Sequence, residues 1–189
     1  MALIINYIGT QNIETDRLLL RKFTLKDAEP MFNNWAKDPE NVRYVTWKAH
    51  ENIEETRKIV YEWIIGYNDL KHYRWAITAK NNGFVIGEIS VIGLSEDNEC
   101  CEIGYILSKK YWNMGFMTEA LHAVLKFLFR EVKFHRIQLR HDVNNLASGK
   151  VMQKNGLKYE GIIRHARRTN TGSWCDTCLY SILEFEFEK

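Results

Sequence analysis

The stretch ECCEIGYILSKKYWNMGFMTEA, residues Glu99 to Ala120, decides how this chain is read. It predicts a strand, a short turn, a loop around Gly115 and the start of a helix. A loop that opens a helix offers unpaired backbone N–H groups at the positive end of the helix dipole, so it is a ready anion site. Gly115 lets the backbone turn tightly or approach a ligand, because it has no Cβ. Met117, Leu121, Val124, Leu125 and Leu128 recur at helical spacing and predict one buried face. Taken alone, the stretch reads first as a glycine-containing turn before an ordinary core helix.

The surrounding chain sets bounds. A length of 189 residues suits one domain spanning 1–189, with a sizeable core. A formal charge of +2 is too weak a bias to argue for nucleic acid or a membrane surface. No apolar run approaches a membrane span. The opening MALIINYIGTQNIETD has no basic leader pattern, so a cytoplasmic location is expected.

Upstream, RLLLRKF (Arg17 to Phe23) predicts a strand. Thr24 predicts the cap of a helix running toward Ala36, with Asp27 near its positive end and a break or kink at Pro30. Asn52 to Leu70 predicts a long helix, with Asn52 and Glu55 as a capping box. YRWAITAK and FVIGEISVIGL flank Asn81-Asn82-Gly83, a hairpin signal. RIQLRHDV predicts a strand, and NLASGKVMQKNG a short helix closed by Gly156. A last hairpin turns around Thr169 to Gly172. The string predicts a mixed α/β domain.

Two segments in this order, EIGYIL…YWNMGFMTEAL and VNNLASGKVMQKNGLKYEG (Val143 to Gly161), resemble the GNAT acyltransferases, and within them the RimJ/RimL-type branch. The resemblance covers the chain from about Thr15 to Phe187. It implies a central, mostly antiparallel twisted sheet with a splayed pair of central strands and helices on both faces. The family's phosphate loop reads Gln/Arg-x-x-Gly-x-Gly/Ala. Here Trp112, Gly115 and Met117 hold those positions, and only the central glycine keeps the pattern. The resemblance implies acetyl-CoA as co-substrate, with pyrophosphate on Trp112, Asn113, Met114, Gly115, Phe116, Met117 and Thr118. It places pantetheine along Tyr105, Ile106 and Leu107, and against Asn145. Asn145 and Ser148 match the branch's Asn-x-x-Ser motif; read without the family, they are a helix cap and a small packing residue. Within the family, Ser148 lies near the thioester sulfur. Lys109, Lys110, Lys150 and Lys154 are candidates for the nucleotide phosphates or plain solvated lysines.

The attacking amine must lose a proton. An α-amine, with a pKa of about 8, needs less help than a lysine near ~10.4. Glu102 on the central strand is the first candidate base, with Glu88 and water as alternatives. Tyr44, Trp47, Trp63 and Tyr67 lie where the family builds its acceptor wall, and RHARR (Arg164 to Arg168) is a basic run near the last hairpin. The expected partner is an amine acceptor, a peptide N-terminus or a small molecule, for a monomer or homodimer. The alternative is a non-catalytic acyl-CoA-binding module. The four cysteines, Cys100, Cys101, Cys175 and Cys178, fall in strand-like runs. Alternation sends the members of each pair to opposite faces, so reduced thiols without metal are expected.

Overall fold

In the computed structural model, residues 5–187 are described. Met1 to Ile4, where the reading of the N-terminus begins, lie outside them. Eight strands form one sheet: β1 (Ile13–Glu14), β2 (Leu18–Arg21), β3 (Arg74–Ala79), β4 (Val85–Ser95), β5 (Cys100–Leu107), β6 (Arg136–Asp142), β7 (Lys158–Arg168) and β8 (Trp174–Leu183). Their order is β1-β2-β3-β4-β5-β6-β8-β7. Neighbours are antiparallel except β5 and β6, which run parallel.

That parallel pair is where the sheet opens. β5 and β6 are in register from Cys100↔Arg136 to Ile103↔Leu139. Beyond that point β5 continues to Leu107 on β4, and β6 continues to Asp142 on β8. The last residues of the two strands therefore flank a gap in the middle of the sheet.

Helices cover both faces. On one side lie α3 (Phe116–Phe127) and α4 (Leu146–Lys154). Met117, Leu121, Val124, Leu125 and Leu128 are all buried, as their spacing predicts, against Ile77, Ile89, Ile103 and Leu139. On the other side lie α1 (Ala28–Met31) and α2 (Ile53–Gly66). Phe23, Met31, Trp35, Val60 and Val85 form a second core there, with Trp63 and Ile106 packed against it.

Two early elements differ from expectation. The segment capped by Thr24 is not one uniform helix: a 3-10 turn over Leu25–Asp27 leads into α1 and then into a wider π-type turn over Phe32–Ala36, with the helical run unbroken at Pro30. Pro30 falls in the first helical turn, where amides have no intrahelical partner to lose. Helix α2 stops at Gly66 rather than Leu70; the hydroxyl of Tyr67, its C-cap, is fixed between Phe23 N–H (2.9 Å) and Arg74 O (3.0 Å). Its N-cap is Asn52, whose Oδ1 accepts from Glu55 N–H at 3.1 Å, but the Glu55 carboxylate reaches back to Glu51 N–H (3.0 Å) instead of Asn52 N–H, so the reciprocal half of the expected capping box is absent. No helix among the described residues is long and apolar enough to cross a membrane.

Candidate active site

The loop before α3 owes its shape to two left-handed residues, Asn113 (φ 61°) and Gly115 (φ 78°). A Cβ on Gly115 would meet only Arg17 Nη2, at 3.4 Å, so conformation rather than space demands glycine there. The first intrahelical bond runs from Glu119 N to Gly115 O at 3.1 Å. The amides of Phe116, Met117 and Thr118 lie ahead of it, at the positive end of α3. Met117 points its side chain into the core, so the bulk that replaces the family's small residue stays out of this cradle.

A brace that sequence reasoning missed holds the loop. Arg17 on the approach to β2 donates to Glu119 Oε2 (2.6 Å) and to Met114 O (2.9 Å), and its guanidinium lies 4.4 Å from the Phe116 ring centroid. Thr15 Oγ1 donates to Glu119 Oε1 at 2.5 Å. Burial alone raises the Glu119 carboxyl, but the bonds from Thr15 and Arg17 outweigh it and hold the pKa below the ordinary range. Lys109 is not free for phosphate: Asp38 and Glu40 hold it at 2.7 and 2.9 Å.

Along the gap, Ser108 N–H donates to Ile86 O on the β4 side. Strand alternation then turns the main-chain groups of Ile106 toward β4, and those of Tyr105 and Leu107 toward the gap. The Leu107 carbonyl is already occupied, by Trp112 Nε1 at 2.8 Å and Asn41 Nδ2 at 3.0 Å. Trp112 thus folds back to close the end of β5. The open groups facing the gap belong chiefly to Tyr105.

Helix α4 begins just past β6. Asn145 caps it, accepting from Ser148 N–H at 3.3 Å. Gly149 lets it sit down on the sheet: a Cβ there would come within 2.7 Å of His141 Nε2. Across the gap, the Tyr105 hydroxyl reaches Ser148 O at 3.0 Å and Ser148 Oγ at 2.9 Å. Burial pushes the Tyr105 phenol well above its usual pKa, so it stays protonated at neutral pH. Tyr105 was read only as a backbone position. Its alternation with the buried Ile103 and Leu107 is the signal that places its ring on the α4 side.

The opposite face of the same gap carries the candidate acids. Glu102 shares it with Ile106 and sits one residue before the strands part. Its Oε2 accepts from Gln138 Nε2 (3.0 Å) and pairs with Arg140 (2.9 Å). Glu88 is buried and paired with Arg74 at 2.6 Å; Arg74 in turn lies 4.2 Å from the Trp63 ring centroid. Trp63 and Tyr67 are therefore part of a packed polar cluster, while Tyr44 lies in the α1–α2 connection under the β7–β8 hairpin. Arg167 Nη2 donates to Tyr44 O (2.7 Å), and Asn170 Nδ2 to Val42 O (2.9 Å).

The cysteines are all free thiols, and Cys175 and Cys178 fall on opposite faces, Cys178 against the α3–α4 core. No group of three metal-ligating side chains occurs among the described residues.

The fold and sequence can now be compared with known proteins. A Bacillus subtilis protein named "Uncharacterized N-acetyltransferase YoaA" is 31% identical over 172 residues, covering 91% of this chain and 96% of that protein. The crystal structure of a GNAT-family acetyltransferase from Bacillus anthracis superposes with a TM-score of 0.82 at 30% identity, covering 93% of this chain and all of that one. The fold is also that of the microcin C7 self-immunity acetyltransferase MccE, solved with acetyl-CoA and AMP, at a TM-score of 0.81 and 22% identity; it covers 89% of this chain and 93% of that one. The acetyltransferase (GNAT) domain family matches residues 17–158, and with that match the chain belongs to the GNAT family and is an acyltransferase.

Proposed function

We propose that this protein transfers an acetyl group from acetyl-CoA to a primary amine, on a RimJ/RimL-type site, by direct attack with both substrates bound. The observation that supports this most is the β5/β6 gap: an amide-rich helix start lies at one end, a hydroxyl pair spans its α4 side, and a carboxylate stands on its other face.

Acetyl-CoA supplies an activated acetyl thioester. The amides of Phe116, Met117 and Thr118, opened by Asn113, Met114 and Gly115, bind its pyrophosphate, and Trp112 closes the loop. Tyr105 main-chain groups and Asn145 bind the pantetheine amides. Ser148 Oγ holds a proton for the departing thiolate. Since a thiol has a pKa of about 8.5, hydrogen bonding suffices and a strong acid is not required. Tyr105 Oη fixes the Ser148 hydroxyl rotor and ties the first turn of α4 to β5. The gap-facing N–H of Tyr105 or Leu107 is placed to donate to a developing oxyanion. On the acceptor face, Glu102 takes the amine's proton directly or through water, with Arg140 and Gln138 fixing its orientation. Holding both substrates in one gap supplies much of the acceleration through proximity.

An acceptor screen that detects released coenzyme A thiol tests this reading, with acetyl-CoA binding measured separately by calorimetry. Turnover with any primary amine supports it. Acetyl-CoA binding without thiol release across α-amines, polyamines and amino acids overturns it.

A further inference from the structure

Four arginines in this chain are partly buried: Arg21, Arg74, Arg136 and Arg167. Three of them hold a carboxylate. Arg21 pairs with Asp27 at 2.7 Å, Arg74 with Glu88 at 2.6 Å and Arg136 with Glu160 at 2.7 Å. Arg167 is the exception among the described residues. Its one polar partner through Nη2 is the Tyr44 carbonyl, and its Nε is buried with no partner. The Cys175 thiol hydrogen-bonds with both the guanidinium and the Asp142 carboxylate, whose Oδ1 is already engaged by both Asn144 N–H and Asn144 Nδ2. A cation taken partly out of water without a counter-ion is costly, which makes the site receptive to an anion from outside.

The strand registers place Arg167 on the acceptor side of the gap. Glu102 is level with Gln138, Arg140 with Leu179, Asp142 with Thr177, and Cys175 with Arg167. Residues two apart share a face, so Glu102, Arg140, Thr177 and Arg167 all look toward the α1–α2 side. Thr177 Oγ1, between the gap and Arg167, is also buried without a partner. The β7 strand bulges between Ile163 and Arg167, which lifts this arginine toward Tyr44 rather than along the free sheet edge. The exposed cations nearby add to the field: Arg164 and Arg168 flank it on β7, and Lys48 lines a cavity of about 300 Å³ beside the hairpin tip.

We infer that Arg167 is an anion receptor in the acceptor site, and that the protein's acceptors carry a carboxylate in addition to the reacting amine. This rests on the acetyltransferase reading above. An arginine fork matches a carboxylate in plane and in charge; Nη2 carries one proton on each of the two-donor edges, Nε–Nη2 and Nη1–Nη2, so its single bond to Tyr44 leaves the other edge for a bidentate anion. The carboxylate can belong to a free amino acid or to an acidic peptide; the chemistry recognised is the same, and the test separates the two.

The experiment uses ω-amino acids from glycine to aminohexanoate, each against its primary carboxamide, and a short peptide with an acidic second residue against its amidated counterpart. Coenzyme A thiol release gives kcat/KM. The expected result is a preference of about tenfold or more for the carboxylate at one length of the ladder or in the peptide pair. Whichever arm carries the preference identifies the source. In Arg167→Gln the preference falls to within about twofold while KM for acetyl-CoA is unchanged; Arg167→Lys, which keeps the charge, retains part of it. Equal use of carboxylate and carboxamide in both arms overturns the inference, as does a preference that survives Arg167→Gln. If no amine releases thiol, the acetyltransferase reading fails on its own. Arg167 is then judged by glutarate in a thermal-shift titration: a rise in Tm in wild type that Arg167→Gln abolishes supports the anion site, and no difference removes it.

Discussion

The two faces of the β5/β6 gap are built from different material. The α3–α4 face is mostly main chain from consecutive residues: the helix-opening amides, the Gly115 turn and the gap-facing groups of Tyr105. Side chains there brace it, through Arg17–Glu119 and Tyr105–Ser148. The α1–α2 face is mostly side chain, drawn from β4, β5, β6 and β7 over main-chain carbonyls of the α1–α2 connection, and held by ion pairs at Glu102–Arg140 and Glu88–Arg74. A backbone cradle suits a fixed ligand, because its geometry survives most side-chain replacement. A side-chain wall suits a variable one. The proposed donor and acceptor roles follow that division.

The largest effect is expected where main-chain geometry is broken on the donor face. Gly115→Val forces a β-branched residue into φ 78°. The strain, about 1–3 kcal/mol, is relieved by rotating the loop out of its cradle. Acetyl-CoA affinity is expected to fall by about 100-fold with the fold retained, read by calorimetry and circular dichroism. An affinity within about threefold of wild type would falsify the loop as the pyrophosphate site.

Next in size is the hydroxyl pair. Ser148→Ala is expected to lower kcat by about 10- to 100-fold with little change in acetyl-CoA binding, the pattern of an interaction made mainly in the transition state. Tyr105→Phe keeps the ring and removes the bond that orients Ser148. It should lower kcat less, and add little in the Ser148→Ala background, because two residues that act as a unit are not additive. Additive losses would mean that Tyr105 acts only through packing. On the other face, Glu102→Gln should remove the acidic limb of the pH–rate profile if this carboxylate is the base. A limb that remains and moves with the acceptor's own pKa assigns the proton to water instead.

The elements of the α3–α4 face were largely legible in the sequence, and for a physical reason. Its parts are contiguous: a strand, a turn and a helix start in one run, with Gly115 and the Met117–Leu128 spacing as local signals. Asn145 and Gly156 likewise announce α4 by chain-local capping. What escaped is what depends on distant partners. Arg17 and Glu119 are 102 residues apart. Tyr105 and Ser148 meet only because α4 lands beside the gap. Asn41, 66 residues away, joins the nearby Trp112 on the Leu107 carbonyl across chain that offers no pattern. The basic run Arg164 to Arg168 was visible, but not that one of its members lacks the counter-ion its partly buried equivalents possess.

A smaller effect separates the faces by pH. Hydrogen bonds from Arg136, outweighing burial, hold Glu160 down at about 2, and Ser181 adds to this. Burial raises Asp27, but two bonds from Arg21 outweigh that and hold it low. Carboxylates whose folded pKa is depressed stabilise above their unfolded pKa, and that stability is lost as pH falls through the folded value. The urea midpoint should therefore be flat near neutrality and drop from about pH 4.5 toward pH 2. Glu160 is about a third exposed at its side chain, so screening limits its share; Glu160→Gln should cost about 1 kcal/mol at pH 7 and flatten the acid slope. An unchanged slope would remove the Arg136 pair from the account of this face.

The smallest effect is expected at the cysteines, which also lie on both faces. Cys178 packs against the α3–α4 core, and Cys175 lies between Arg167 and Asp142 on the α1–α2 face. Burial raises both thiols above their ordinary pKa, so at neutral pH they remain protonated and poor metal ligands. Serine at 178 exchanges a weakly polar thiol for a hydroxyl in partly apolar surroundings, a loss of about 1 kcal/mol. Serine at 175 meets a cation on one side and a carboxylate on the other, both able to bond a hydroxyl, so its cost should be near zero. The double variant is expected to keep acetyl-CoA affinity within about twofold and to lower stability by no more than the Cys178 share. Stoichiometric zinc in the purified protein that disappears with Cys175→Ser/Cys178→Ser would contradict this. It would require the two side chains to reach one ion from opposite faces of β8, and so a hairpin rearranged from the register in which Cys178 faces Ile162 and Cys175 faces Arg167.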